Sequence, residues 1–475
     1  MVAVGAAELT ESLCLPAIAN IPVGLYVPLL EFNPVLWIAH DSHNHLFFYR
    51  ILHFTRLLTS LFQHLANVPE RNLAGTCLFL YRHNKSFHWE HLTSFALVIF
   101  RALTYHCSDT SMCLGALLIP MRPFGVKARL AQEFTGFSGS AKAFRALFGD
   151  RESTGEGESY HRVYTAEQLR AARLKLLAVD PTAPSKPALP PIINCRMSKG
   201  GTGKTTIAAN VSSALAMFGH RVLMIDGDPQ ASLTGLFGIN WATEDILHIG
   251  ELMRQNYKGE ADRVHEAIRT IYPGGMLDLI ASDITLADAD SWLMAATNRE
   301  ASFKRLLESH VDFFSQYDVI VIDSAPGTTL LTNTFMFACK TILAVVWLDG
   351  QSLKAMEVLA SNVAELNRAF GREGFKLGVH IVANGFHQSY GATRDALATL
   401  SQKYPNELDD TVIPHAASFM RQMDLFAEEK SGPLLEREPS SVGARAIIDL
   451  AKSLIKLYGL RLGGAQTVVV PAPIA

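Results

Sequence analysis

Three glycines lie between two lysines in SKGGTGKTT, residues 198–206, and two threonines follow. Gly200, Gly201 and Gly203 let backbone N–H groups converge on phosphate oxygens, with Thr202 inside the loop and Thr206 just beyond it. Lys204 is placed to reach the β- and γ-phosphates of a nucleotide, and the Thr205 hydroxyl to ligate Mg²⁺. Carboxylates recur further on, as Asp226 and Asp228 in VLMIDGDPQ (222–230) and as Asp323 in YDVIVIDSAPG (317–327). This is equipment for holding a polyphosphate and a divalent cation.

Such groups work only if the chain delivers them to one crevice. The β-branched run 192–196 reads as a strand entering the glycine loop. Residues 205–218 read as an Ala- and Ser-rich helix stopped by Gly219. A helix N-terminus then adds its positive dipole end at the loop. Asp226 and Asp323 end apolar runs that read as parallel strands, and in open α/β sheets such strand ends meet beside the ligand. The expected fold is therefore an α/β P-loop NTPase: a doubly wound, mostly parallel sheet with helices on both faces. A small helical segment and an irregular N-terminal extension precede it.

KGGTGKTT, then RVLMIDGDPQAS, then YDVIVIDSAPG resemble the deviant-Walker-A ATPases of the ParA/MinD family, and most of all ParA-type partition ATPases. The likeness runs from about Ile192 to Tyr458 and includes DPQASLTGLFG (228–238), LDLIASDITLADAD (277–290) and the stretch 413–455. It implies ATP and Mg²⁺ as cofactors and a homodimer formed on ATP. In that dimer Lys199 is the signature lysine that reaches the partner's phosphates. Asp228 matches the acid orienting the attacking water, Asp226 an acid near the magnesium shell, and Asp323 the Walker-B-like acid. Asn384 matches an adenine-side asparagine, and Pro414 falls in the loop beside the base. Slow, partner-stimulated hydrolysis, a ParB-like partner, non-specific DNA binding and a cytoplasmic, nucleoid-associated location follow from the same resemblance. Arg196-Met197 before the loop and Ser-Ala-Pro-Gly after Asp323 depart from the usual pattern without removing a group the chemistry needs.

Related branches fit less well. The C-terminal LRLGGAQTVVVPAPIA lacks the basic amphipathic helix of MinD-like proteins, so no membrane partner is expected. Cys195 and Cys339 form no cluster motif, and only Tyr458 lies near the terminus where tyrosine kinases carry a cluster. With 42 Lys+Arg against 45 Asp+Glu, the chain is not basic throughout. Any DNA contact must be a local patch, for which Arg394, Lys403 and Arg421 are candidates.

The averages of 49% hydrophobic and 18% charged hide a split. Residues 1–120 hold 13 of the charged residues, 9 of the 17 His and 4 of the 6 Cys. The uncharged run 12–30 is long enough to span a bilayer but is broken by prolines, and acids precede it. His40, His43, His45, Cys107 and Cys113 lack metal-ligand spacing. We expect 1–120 to be poorly structured or an upstream extension, with Met121 as a start, and a membrane anchor as the lesser reading. Residues 121–190 carry 11 Lys/Arg against 7 Asp/Glu. Within 121–179, Thr165-x-x-Gln168 reads as a capping box opening a helix over 166–179. Its Arg170, Arg173 and Lys175 suit either a solvated face or half of a DNA-binding module that reads an operator. Five prolines make 180–191 an extended linker. The ATPase domain is then expected over 192–462, with a flexible tail at 463–475. The runner-up functions are a nucleotide-switched autorepressor and a ParA-like ATPase that positions another cargo.

Overall fold

The computed structural model describes residues 124–148, 163–179, 187–261, 263–423 and 431–462. The expected extension, the tail and linker residues 180–186 lie outside the described residues, as do the run 12–30 and the N-terminal His and Cys. In chain order, the first elements are β1 (Gly125–Lys127), α1 (Ala128–Thr135), α2 (Ala141–Ala146), β2 (Val163–Thr165) and α3 (Ala166–Leu176). The alternating region opens with β3 (Ile192–Arg196), α4 (Lys204–Met217), β4 (Val222–Gly227), α5 (Ser232–Leu236), α6 (Ile249–Lys258), β5 (Ile268–Tyr272) and β6 (Leu277–Ile280). It continues with α7 (Ala289–Ala295), α8 (Ser302–Ser309), β7 (Val319–Ser324), α9 (Leu330–Ala338), β8 (Thr341–Trp347) and α10 (Gly350–Phe370). It closes with β9 (Gly378–Phe386), α11 (Gly391–Lys403), β10 (Leu408–Pro414) and α12 (Val442–Leu457).

Eight strands form one sheet in the order β10-β9-β8-β3-β7-β4-β6-β5. Every pairing is parallel except β5 with β6. Successive side chains of a strand point to opposite faces, so each strand feeds two cores. Ile193, Met224, Val321 and Val345 meet α4 and α12 on one face. Ile192, Ile225, Ile322 and Val346 meet α6, α8, α9 and α10 on the other. That double burial is why these strands are continuous apolar runs. The expected doubly wound α/β sheet is what the chain builds. Among the described residues no helix is long and apolar enough to cross a membrane.

The small N-terminal elements share the first of these cores. Strands β1 and β2 pair antiparallel, and Val126, Ala131, Phe134, Phe144, Tyr164 and Leu169 are buried with α4 and α12. Phe134 meets Phe218 edge-on at 4.8 Å. Glu133 pairs with Arg445 at 2.7 Å and with Lys452 at 2.6 Å, both on α12. The capping box is formed as read: the Gln168 amide donates to Thr165 Oγ1 at 3.4 Å, and the Thr165 amide to Gln168 Oε1 at 3.1 Å.

Neither reading of the α3 arginines describes what they do. Helix α4 ends at Phe218 and Gly219, whose carbonyls have no helical amide to accept from. Arg173 Nη1 donates to Phe218 O. Arg170 Nη1 donates to Gly219 O at 2.6 Å and to Asp318 Oδ2 at 2.5 Å. Asp318 is nearly buried, at 5% exposed, and also accepts from the Arg221 amide at 2.8 Å. Two cations thus cap the negative end of α4. Gly219, at φ +86°, passes so close that a Cβ there would lie 3.0 Å from Arg170 Cα. His220, buried beside the clamp, is pushed down to about 3 by burial and by the charges of Arg173 and Arg170, so its ring is neutral. Removing Arg170 would leave Asp318 buried without its cation. Arg170→Ala is expected to lose roughly 3 kcal/mol of stability, read by urea denaturation. Lys175→Ala, on the exposed side of α3, should change stability by no more than about 0.5 kcal/mol.

Candidate nucleotide site

Strand β3 delivers the loop, and α4 begins at Lys204 directly after it. Gly201 and Gly203 take φ of +72° and +90°, open to glycine and strained for other residues. A Cβ on Gly200 or Gly201 would meet nothing within 4 Å, so this side of the loop faces open space. At Gly203 a Cβ would collide with the Asn384 side chain at 2.4 Å. Asn384 Nδ2 donates to Thr202 O at 2.8 Å, which clasps the loop to the end of β9. The residue expected on the adenine side therefore also braces the phosphate loop. Thr205 and Thr206 occupy the first turn of α4, half-buried. Pro414 ends β10 opposite Phe386.

The two lysines are placed differently. Lys204 is 6% exposed, and its Nζ donates to the Lys199 carbonyl at 3.3 Å. Burial lowers its pKa, while the charges of Asp323 and Asp228 act the other way. Lys199 turns out of the loop. Its Nζ meets Asp349 at 2.8 and 3.1 Å and Ser352 Oγ at 3.2 Å. Asp349 is the N-cap of α10 and also accepts from the Ser352 amide at 2.7 Å. Burial pushes the Asp349 carboxyl up, but the Lys199 and Ser352 donors outweigh it, so it titrates below its ordinary range. Sequence reasoning missed this acid as a partner. D-G-Q-S at 349–352 does signal a helix start, but nothing local links it to Lys199.

The acids expected at strand ends converge. Asp226 on β4 and Asp323 on β7 are register partners, and Cys195 on β3 is the opposite neighbour of Asp323. Asp226 is fully buried and already engaged. Its Oδ2 accepts from the Thr234 amide at 2.9 Å and hydroxyl at 2.7 Å, and its Oδ1 from the Asp228 amide at 3.2 Å. It thereby shapes the 228–234 loop, with its carboxyl raised to about 6 by burial against those hydrogen bonds. Asp228 is half-buried at the start of that loop, where its Oδ1 accepts from the Gln230 amide at 3.0 Å. Asp323 is buried with neither oxygen in a full hydrogen bond. Burial first and the charge of Asp226 second push it well above the carboxylate range, and the Thr205 hydroxyl and Lys204 offset this only in part. A buried carboxyl with both oxygens open, beside the Thr205 hydroxyl, fits an oxygen-seeking metal such as Mg²⁺.

Residues 191–373 match the family described as an AAA domain. The cell division protein PomZ of Myxococcus xanthus is 27% identical over 269 residues, 57% of this chain and 79% of that protein. The chromosome partitioning protein ParA of Caulobacter vibrioides is 27% identical over 258 residues, 54% of this chain and 91% of that protein. Over the alternating region the chain is thus similar to ParA-type ATPases. Among solved structures, apo McdA from Cyanothece aligns at 19% identity and a TM-score of 0.46, covering 56% of this chain and all of McdA.

The three DNA-contact candidates do not sit as free cations. Lys403 is ion-paired with Glu357, and Arg421 grips Glu438 in a bidentate pair at 2.7–2.9 Å. Arg394 donates to Gln388 O at 2.9 Å. Exposed pairs of this kind are weak, so phosphate could compete for either cation.

Asp323 yields a prediction with a defined sign. A raised folded-state pKa means the fold binds more protons than the unfolded chain between the ordinary and the raised values. Stability conferred by the protonated acid is therefore lost as pH rises through that window. Asp323→Asn should melt a few degrees higher than wild type near pH 7.5, by about 1–2 kcal/mol without nucleotide, and the gain should shrink toward pH 4. Thermal melts across pH test this.

Proposed function

We propose that the chain is an ATP-dependent partition ATPase that dimerises on ATP, binds DNA non-specifically and segregates a plasmid or chromosome with a ParB-like partner. The observation that carries this reading is the placement of the two lysines. Lys204 is buried within the loop, where it can neutralise phosphate charge. Lys199 stands outside it, 28% exposed on Asp349, with a flexible stem able to swing toward a facing copy. ATP and Mg²⁺ are the ligands we assign. The loop from Gly200 to Thr206 would hold the phosphates, Asn384 and Pro414 would border the base, and Thr205, Asp226 and Asp323 would lie on the metal side. Bound Mg²⁺ supplies charge neutralisation of the β- and γ-phosphates. Asp228, at the rim, would orient the attacking water, and Lys199 would stabilise charge in the partner's site. Hydrolysis would be slow and partner-stimulated, and the protein would reside on the nucleoid in the cytoplasm.

A second role is favoured by the N-terminal elements. Gly136, at φ +71°, ends α1, and Ser140 caps α2 by accepting from the Ala143 amide at 3.2 Å. Only Phe144 of α2 is buried, while Lys142 and Arg145 are exposed, as are Lys127 and Arg129 nearby. Two short helices joined by a tight turn, the second offering a basic face, suit insertion into a major groove. We assign the operator-reading role of an autorepressor to α2 rather than to α3, whose arginines are engaged with α4. A cargo other than DNA is the remaining alternative, and a neighbouring gene for a ParB-like protein would argue against it.

Wild-type protein with ATP and Mg²⁺ should be retained on random-sequence DNA and released by salt, and Lys204→Ala should lose retention. Equal retention with and without ATP would refute the partition mechanism. Lys199→Ala should still bind nucleotide yet stay monomeric by light scattering. Lys142→Ala and Arg145→Ala should each reduce the salt slope of operator binding by about 1. A footprint unchanged in the double variant would remove the second role.

A further inference from the structure

Arg196, which departs from the usual pattern of the family the sequence resembles, has an unusual setting in the structure. It is the last residue of β3 and 0% exposed. A buried guanidinium ordinarily meets a carboxylate, but the hydrogen-bond partners of this one are backbone carbonyls. Nη1 donates to Met197 O at 3.2 Å and Ala325 O at 3.1 Å, and Nη2 donates to Gly327 O. Its Nε is buried without a partner. Burial lowers its pKa to about 10, so it remains charged at neutral pH.

Ala325 and Gly327 lie in the loop that leaves β7 immediately after Asp323 and Ser324. The same loop is tied a second time, where the Gly327 amide donates to Ser198 O at 2.9 Å. Gly327 takes φ +83°, a left-handed backbone that favours glycine. Arg196 is also close enough to Lys204 for its charge to depress that lysine's pKa. A cation answered only by carbonyl dipoles is under-compensated, and an anion arriving beside Lys204 supplies what is missing.

We propose that Arg196 is a positioning residue that locks the 325–327 loop onto the phosphate loop and so fixes the geometry around Asp323 in which bound nucleotide reacts. The proposal rests on the nucleotide-binding reading above. It explains why a fully buried cation is kept where an apolar residue would pack at lower cost. It also assigns the residue to the hydrolytic step rather than to affinity, because its contacts are to the loop and none is to the glycine-loop amides that cradle phosphate.

The test uses the full chain with Arg196→Met, Arg196→Lys and, as a variant that leaves the buried cation in place, Gly327→Ala. Phosphate release from Mg·ATP, affinity for a fluorescent ADP, and hydrogen exchange of the Ala325 and Gly327 amides are measured in each. Arg196→Met should slow phosphate release by roughly tenfold to a hundredfold while ADP affinity changes by less than about threefold. Arg196→Lys should recover part of the rate, and Gly327→Ala should lower the rate in the same way. Faster exchange at Gly327 in Arg196→Met should accompany the loss. Unchanged phosphate release, or a loss of ADP affinity as large as the loss of rate, would overturn the proposal. Should wild type bind no nucleotide, the nucleotide reading fails, and the exchange of Gly327 still decides whether Arg196 holds the loop.

Discussion

Helix α4 cannot satisfy its own ends, and much of the molecule is arranged to do that for it. At its start, amides left free by helix geometry face the glycine loop, where an anion can accept from them. At its finish, the carbonyls of Phe218 and Gly219 take donors from Arg173 and Arg170. Arg170 also holds Asp318, one residue before β7, the strand that ends by presenting Asp323. The clamp therefore grips the far ends of the two elements whose near ends carry Lys204 and Asp323. The helix between is buried almost all round, under β3, β4 and β7 on one side and α12 on the other.

The site assembled on this frame is electrostatically unfinished. Asp226 and Asp323 sit side by side in the sheet, both buried, and their mutual repulsion raises Asp323 further. Lys204 and Arg196 are buried cations a short distance away, and neither has a carboxylate in direct contact. A fold optimised for stability alone would not retain four buried ionisable groups at the carboxyl edge of its sheet. Their coexistence fits a pocket designed around a polyanion and a divalent cation, each complementing one sign of the local charge. Lys199 differs because its compensation is already supplied by Asp349 and Ser352 within the same chain.

The N-terminal elements bear on the same frame. Their apolar residues enter the core of the sheet's α4 face, and Glu133 holds two basic residues of α12. The basic groups of this segment thus divide by role. Arg170 and Arg173 are consumed in joining the segment to α4, and Lys142 and Arg145 are left in solvent.

The phosphate loop, the strands that flank it and the acids that end them were legible without a structure, because each is encoded contiguously. A glycine pattern sets backbone freedom, an apolar run sets a strand buried on both faces, and Thr165 with Gln168 sets a helix start, all within a few residues. The resemblance to ParA-type ATPases rests on the same contiguous stretches. The pairings that give individual side chains their work are not encoded that way. Arg170 meets a carbonyl 49 residues on, Arg196 one 131 on, Lys199 an acid 150 on and Asn384 a carbonyl 182 back. Each contact is created only when elements distant in sequence pack together, as strands in the order β9-β8-β3-β7-β4 or as α3 against the end of α4. The sequence by itself determined which chemical groups the site would possess and on which kinds of element. Only the tertiary structure decided which of them are buried, which are neutralised by neighbours and which remain free to meet a ligand, because burial and charge pairing are properties of packing, not of spacing along the chain.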